Sequence, residues 1–117
     1  MARIWFKKEM AQLIIEGKKT ATTRYSLKTT KFLDAVKGSR FKPVVFGQIK
    51  INGIIPLTWY QAIRAFYKQE GFESPTAMLK YIQKEKLIRK DLFDNVFTYE
   101  FEFYDNIGGK NGTTAHE

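Results

Sequence analysis

The residues of this 117-residue chain that are best suited to chemistry lie close together, between Lys19 and Arg24. If that run is an extended strand, its two-residue period places Thr20, Thr22 and Arg24 on one face, with Lys19 at the turn before them. Two cations and two hydroxyl groups then converge, and such a group can bind a phosphate or a carbonyl oxygen. A desolvated Lys beside an Arg can also act as a base toward a Thr hydroxyl. The alternative is an ordinary edge strand with exposed Thr side chains and a solvated pair of lysines.

The amino-acid composition excludes several other kinds of catalytic or metal site. The chain contains no cysteine, and its one histidine is His116, near the end. Disulfides, Cys/His zinc sites and thiol catalysis are therefore excluded, and a Ser-His-Asp triad is nearly excluded. Any hydrolysis must use Lys, Arg, Thr, Ser, Tyr, Asp or Glu side chains. We expect neither a metal nor a cofactor.

Positive charge is concentrated in the first part of the chain. The whole chain carries +8, but residues 1–50 contain 12 Lys+Arg and 3 Asp+Glu, whereas residues 51–117 contain 8 and 9. A basic face of this kind fits a polyanionic partner, because each phosphate that it neutralises releases condensed counterions. The alternative is a solvated, lysine-rich surface without a partner.

Hydrophobic periodicity places a helix just before the run from Lys19 to Arg24. Residues 2–6 are β-prone, and apolar residues then recur at helical spacing. Gly17 stops this helix, so that a Thr-rich strand at 20–25 begins directly after it. Residues 26–42 lack a clean period, which predicts a long basic loop with one helical turn around residues 32–36.

The next segment predicts a bent strand followed by two capped helices. Residues 43–57 are β-like, and Gly47 and Gly53 suit a bulge or a sharp bend. Thr58 and Gln61 have capping-box spacing, which begins a helix that ends near residues 70–71. The Ser74-Pro75 pair has the N-cap and N1 signature of a second helix, which reaches about residue 86.

Residues 96–104 alternate between aromatic and polar side chains, which predicts a strand with Thr98, Glu100 and Glu102 on its polar side. No repeat or second domain is visible. The elements predict one α+β domain, residues 1–105, built on a small, mostly antiparallel β-barrel with flanking helices. Residues 106–117 are Gly-rich and predict a flexible tail.

The segment from Gly17 to Arg24 resembles the GxKxxTxR signature of the ASCH domain family, and every signature position matches. The preceding helix, a Glu-Gly-Phe turn at 70–72 and the closing strand at 97–104 are also similar to this family. The resemblance covers nearly all of residues 2–105, although the basic segment at 26–42 matches poorly. It implies a PUA-like β-barrel with helices.

The resemblance also implies two functions. Members of the family are generally RNA-binding or RNA-processing proteins, and one branch consists of small amidohydrolases that deacetylate N4-acetylcytidine. In that branch the signature Lys and Thr and a downstream Glu carry out the reaction. Carried over to this sequence, the three residues are Lys19, Thr22 and Glu70, with Glu73 as the alternative for the Glu.

RNA or nucleotide binding is the first hypothesis, because of the basic loop. A free nucleoside carries no phosphate, so a hydrolase that acts on nucleosides would gain little from such a loop. The residues predicted to bind are Gly17, Lys18, Lys19, Arg24, Lys28, Lys31, Arg40 and Lys42. The alternative is the amidohydrolase, with Thr22 as nucleophile, Lys19 as its activator and Glu70 as general acid/base. A third class, a protein-interaction adaptor, has no large apolar patch to support it.

Exposed aromatic side chains could add base stacking to this binding. The chain has 18 Phe, Tyr and Trp residues. Most of them lie on apolar stripes and are predicted to be core, while Tyr25, Tyr60 and Tyr67 are candidates for stacking on a base.

The sequence has neither a membrane-span pattern nor a signal-peptide pattern, and we use this to predict the location of the protein. No apolar run approaches the roughly 20 residues of a membrane span. Charged residues at positions 7–9 interrupt the apolar residues near the N-terminus before they reach signal-peptide length. We expect a monomeric, cytoplasmic protein without a membrane partner.

Overall fold

Five strands and three helices make up residues 2–105, the part of the chain that the computed structural model describes. In chain order they are β1 (Arg3–Trp5), α1 (Lys8–Ile15), β2 (Ala21–Arg24), β3 (Phe32–Ser39), β4 (Lys42–Thr58), α2 (Trp59–Phe66), α3 (Pro75–Lys84) and β5 (Asn95–Asp105). The predicted tail at 106–117, with His116, lies outside the described residues. None of the three helices is long and apolar enough to cross a membrane.

The strands form one curled sheet in the order β1-β3-β4-β5-β2. The β1–β3 pair is parallel and the other three pairs are antiparallel. The long strand β4 bends where its pairing with β5 shifts register between Ile51 and Gly53, and Gly53 is one of the two predicted bend positions. The predicted α+β class, a small and mostly antiparallel barrel with flanking helices, is confirmed in the form of this half-barrel.

The prediction of a loop with a helical turn at residues 26–42 is wrong for most of its length. Residues 32–39 are strand β3, which pairs with β1 on one side and β4 on the other. Leu33 and Ala35 are buried at the two-residue period of a strand, but a register shift between Ala35 and Val36 buries Val36 as well. The irregularity breaks the alternation and hides the strand from a reading of the sequence.

The predicted helix starts are confirmed by their side-chain caps. The Gln61 backbone N–H donates to Thr58 Oγ1 at 3.2 Å, and the Thr58 N–H donates to Gln61 Oε1 at 2.9 Å, which completes the capping box of α2. Ser74 Oγ accepts from the Ala77 N–H at 3.0 Å, with Pro75 at the first helical position of α3. These local signals fix where each helix enters the domain.

Two hydrophobic clusters hold the elements together. The first packs α1 against the sheet, and its largest members are Ile4, Phe6, Met10, Ile14, Leu33, Phe46, Ile49, Ile51, Tyr99, Phe101 and Phe103. The second joins α2, α3 and the start of β5 through Trp59, Ile63, Met78, Ile82 and Val96. Phe72 and Tyr81 pack against both clusters. The junction between the clusters is where the candidate site lies.

Candidate functional site

A glycine turn at the end of α1 positions Lys19. Gly17 has φ +79° and follows the helix cap; its N–H donates to the Ile14 carbonyl, and the Lys18 N–H donates to the Leu13 carbonyl at 2.9 Å. This is the Schellman pattern, in which glycine takes the left-handed position without steric cost. The signature Gly17 is therefore a helix stop, which ends α1 immediately before Lys19.

A second turn of the same kind positions Glu70. Helix α2 ends at Phe66, short of the predicted end at 70–71, but hydrogen-bonded turns continue to Gly71 at φ +99°. The Phe72 N–H donates to the Tyr67 carbonyl and the Gly71 N–H to the Lys68 carbonyl. A Cβ on Gly71 would lie 2.9 Å from Leu13 Cδ1, so the turn packs directly on α1. Glu70 is the cap residue of this turn.

Backbone hydrogen bonds join the two turns. The Gln69 carbonyl accepts from the Thr20 N–H at 2.7 Å and from the Ala21 N–H at 3.0 Å. The carbonyl would otherwise be unpaired at a helix end. Strand β2 and the Glu70 turn are thereby held side by side, with Lys19 and Glu70 facing each other.

Lys19 and Glu70 form a buried ion pair. Lys19 Nζ donates to Glu70 Oε1 at 2.7 Å and to the Glu70 carbonyl at 3.2 Å, and the two residues are only 3% and 4% exposed. Thr23 Oγ1 donates to the other carboxylate oxygen at 2.5 Å and also contacts Thr98 Oγ1 at 2.7 Å. Burial lowers the pKa of Lys19, and the Glu70 carboxylate opposes this shift.

Thr98 is a buried member of the polar side that the sequence predicts for β5. It is fully buried, because β5 lies between β4 and β2 and Thr98 is paired with Thr23 across the strands. Its hydroxyl is satisfied by Thr23, so the polar group is buried at little cost. Both faces of strand β5 are therefore covered at Thr98, although the alternation of aromatic and polar side chains suggests one buried face.

Thr22 and Arg24 form the second half of the site. Arg24 Nε donates to Thr22 Oγ1 at 3.3 Å, and its Nη2 donates to the Trp5 carbonyl at 2.7 Å. The guanidinium lies 5.0 Å from the centre of the Phe6 ring. Desolvation lowers the pKa of Arg24, but an arginine side chain remains protonated. Within residues 2–105, the hydroxyl of Thr22 is thus contacted by Arg24 and not by Lys19.

A single cleft of about 840 Å³ brings these groups together. Lys19, Thr22, Thr23, Arg24 and Glu70 all line it. Aromatic side chains also line it: Trp5, Phe6, Tyr25, Trp59, Phe72 and Tyr81. A cleft of this size with apolar walls and a few convergent polar groups is typical of a small-molecule or nucleobase site.

The predicted site residues separate into two groups. Lys19, Thr22, Arg24 and Glu70 line the cleft. The other predicted residues lie outside its lining, namely Gly17, Lys18, Lys28, Lys31, Arg40, Lys42 and the alternative Glu73. Of the predicted stacking residues, Tyr25 lines the cleft, whereas Tyr60 and Tyr67 do not. The roles assigned to all of these residues stay predictions.

The cleft contains residues that the sequence did not single out. Trp5, in the short strand β1, is 37% exposed and lines the cleft. Around Tyr25, the hydroxyl donates to Asp94 and accepts from Trp59 Nε1 and the Arg89 N–H, so three separate segments meet at one ring. Tyr25 was a predicted stacking candidate, whereas nothing in the sequence singled out Trp5.

Besides Lys19 and Arg24, four further cations belong to the lining residues, namely Lys7, Lys8, Lys86 and Arg89. They come from the start of α1 and from the segment after α3. They are far apart in sequence, so no local pattern could have shown them together. Within residues 2–105, no three acidic or His side chains cluster where they could hold a metal ion.

The fold and the cleft define a class, because this curled sheet with its three helices is the fold of ASCH-domain proteins. An ASCH protein of Zymomonas mobilis superimposes with a TM-score of 0.57 at 19% identity, over 84% of this chain and 64% of that one. A protein of family-model DUF984 from Enterococcus faecalis V583 superimposes with a TM-score of 0.63 at 15% identity, over 90% and 77% of the two chains.

The resemblance to the ASCH family is thereby confirmed at the level of the fold. This chain spans about two thirds of the Zymomonas protein. No family model matches the chain, and no curated protein is similar to it in sequence. The chemistry of the cleft must therefore be argued from its own residues.

Proposed function

We propose that this ASCH-fold domain binds RNA and that the cleft takes up one of its bases. The observation that carries the proposal is the cleft itself, in which a buried lysine, a half-buried arginine, a carboxylate and two hydroxyl groups stand among aromatic side chains. Proteins read single-stranded RNA by stacking its bases on aromatic or Arg groups and hydrogen-bonding their edges. Both kinds of group are present within one cavity of suitable size.

The polar side chains of the cleft are already oriented by hydrogen bonds before they bind the edge of a base. Glu70 is oriented by Lys19 and Thr23, and Arg24 by Thr22 and Trp5. Arginine has five N–H donors, and the two named bonds leave others for a ligand. Since these side chains are already fixed, binding costs little conformational entropy at the site.

Trp5 offers a direct test of base stacking. We expect Trp5→Ala to weaken binding of a single-stranded RNA 12-mer by about 1–3 kcal/mol, the usual worth of one stacked base. Phe93→Ala is the matched control, because Phe93 is an aromatic side chain that is 71% exposed and lies outside the cleft lining. Fluorescence anisotropy at 50 mM salt measures both. Equal losses in the two variants, or no binding by the wild-type chain, would refute the proposal.

Deacetylation of N4-acetylcytidine is the second candidate, and the 2.7 Å contact between Lys19 and Glu70 favours it. Transfer of a proton across this contact would leave Lys19 as an amine, and burial lowers the pKa of Lys19. After turning from Glu70 toward the Thr22 hydroxyl, neutral Lys19 would take its proton as the Thr22 oxygen attacks the acetyl carbon. Protonated Glu70 would give its proton to the departing cytidine amine. Water would then hydrolyse the acetyl-Thr ester to acetate.

Chromatography of cytidine released from N4-acetylcytidine tests this second candidate. Thr22→Val should abolish release, because valine has the shape of threonine without its hydroxyl. Thr20→Val is the matched control and should retain turnover, because Thr20 is exposed and lies outside the cleft lining. No cytidine from the wild-type protein rejects the substrate, and release that survives Thr22→Val rejects the mechanism. RNA binding is judged separately from either result.

A further inference from the structure

Lys86 has a backbone conformation that its side chain disfavours. It has φ +56° and is the only residue other than glycine with positive φ in residues 2–105. The Lys86 N–H donates to the Gln83 carbonyl and the Leu87 N–H to the Ile82 carbonyl, so the end of α3 has the same Schellman turn as α1. At the corresponding positions the two other turns have Gly17 and Gly71. A lysine therefore occupies a position where glycine is the easier choice.

The side chain that this backbone carries lines the cleft. Lys86 and Arg89 both belong to the lining, and both follow α3. Arg89 makes two contacts with Tyr25, because its guanidinium lies 4.4 Å from the centre of the Tyr25 ring and its backbone N–H donates to the Tyr25 hydroxyl at 2.8 Å. A cation with restricted motion loses little entropy when it binds an anion.

The start of α1 brings two further cations to the cleft lining, and one of them already has a partner. Lys7 Nζ lies 3.2 Å from Glu85 Oε1, whereas Lys8 has no ion pair within residues 2–105. The nearby acid Glu9 accepts a hydrogen bond from the Tyr81 hydroxyl. Among the described residues 2–105, Glu70 is the only acidic residue in the lining, and Lys19 neutralises it. The cleft lining therefore has a surplus of positive charge.

We propose that Lys86 and Arg89, with Lys8 from α1, form a subsite for the phosphate of the nucleotide whose base enters the cleft. The inference rests on the RNA binding proposed above and adds where the phosphate lies. Arg presents a planar fork of donors to phosphate oxygens, and Lys adds a mobile point charge. Lys86 keeps its unfavourable backbone because a glycine there would remove this charge.

The variant Lys86→Gly distinguishes a role of Lys86 in RNA binding from a role in the stability of the fold. Glycine relieves the left-handed backbone, so the melting temperature should be unchanged or higher while RNA affinity falls. A lower melting temperature together with unchanged RNA affinity would overturn the subsite, because Lys86 would then serve the end of α3.

The double variant Lys86→Gly with Arg89→Ser measures the subsite itself. Loss of this one phosphate contact should reduce the slope of log K against log salt by about 0.7 for single-stranded RNA. Affinity for the 12-mer at 50 mM salt should fall at least about fivefold. The charge-matched control is Lys84→Ser with Lys90→Ser, because both lysines are exposed, flank the same segment and lie outside the cleft lining.

The outcomes distinguish this subsite from RNA binding in general. Equal losses in the double variant and its control would overturn the subsite in favour of diffuse surface charge. If the double variant binds like the wild type while Trp5→Ala is impaired, the base site stands and the phosphate subsite is wrong. If the wild-type chain binds no RNA at 50 mM salt, both proposals fall.

Discussion

Replacing Glu70 by Gln leaves the Lys19 ammonium buried without its counter-charge. The two charged groups are 2.7 Å apart, and their side chains are almost fully buried. At an effective dielectric constant of 20 their attraction is about 6 kcal/mol, which offsets the several kcal/mol that burying each ion costs. Lys19 can instead give up its proton, which at pH 7 costs about 5 kcal/mol for a group of ordinary pKa 10.5. We therefore expect Glu70→Gln to lose about 3–5 kcal/mol of unfolding free energy.

The pH dependence of this loss has a definite sign. Burial lowers the pKa of Lys19 in the folded state, so the unfolded state binds more protons between that pKa and 10.5. Stability from this group therefore rises with pH in that window. Without Glu70 the pKa of Lys19 falls further and the window widens. At pH 9 deprotonation costs only about 2 kcal/mol, so the loss caused by Glu70→Gln should shrink by up to about 3 kcal/mol between pH 7 and pH 9.

Urea unfolding of the wild type and variants at both pH values measures these differences. Lys19→Met combined with Glu70→Gln should lose less than the sum of the single changes, because the double variant leaves no unpaired charge. Glu16→Gln is the control: Glu16 lies 3.5 Å from Lys18 at the surface, and we expect little change. A loss below about 1 kcal/mol at pH 7, or one that grows at pH 9, would refute the reasoning.

Three further changes test the elements around the cleft. Gly71→Ala should cost about 1–2 kcal/mol or more in thermal unfolding, because φ is +99° and the new Cβ would lie 2.9 Å from Leu13 Cδ1; an unchanged melting temperature would contradict this packing. Tyr25→Phe removes a hydroxyl with three hydrogen bonds and should cost about 1–3 kcal/mol in urea unfolding, whereas a neutral change would mean that water replaces them. The basic positions outside the cleft should also strengthen RNA binding through long-range attraction. Changing four lysine and arginine residues together to Ser should therefore reduce the salt dependence of RNA affinity in anisotropy titrations. An unchanged salt dependence would place the phosphates elsewhere. These four are Lys28, Lys31, Arg40 and Lys42.

The residues of the site are positioned by two kinds of interaction, namely local turns and hydrogen bonds between distant segments. The turns that end in Gly17 and Gly71 are local, and each positions one member of the buried ion pair. The backbone bonds from Thr20 and Ala21 to the Gln69 carbonyl then bring the pair together. A change in either turn should therefore affect the cleft even where it touches no ligand.

Features encoded by neighbouring residues could be predicted from the sequence. The stop at Gly17, the capping box of Thr58 and Gln61 and the start of α3 at Ser74 depend on residues within one turn of each other. The uninterrupted alternation of residues 96–104 likewise predicts strand β5. The signature at 17–24 is contiguous, which is why it pointed to the right fold.

Features that depend on distant residues were decided by the tertiary structure. Strand β3 exists because β1 and β4 pair with it, and the irregularity after Ala35 removed the period that would have predicted it. Thr98 is buried because β2 and the Glu70 turn cover it. The cations of the cleft lining come from segments almost 80 residues apart, and only the docking of α1 beside α3 places them around one cavity. Periodicity records the environment of one element at a time, whereas a cleft is made by the faces that several elements present to each other.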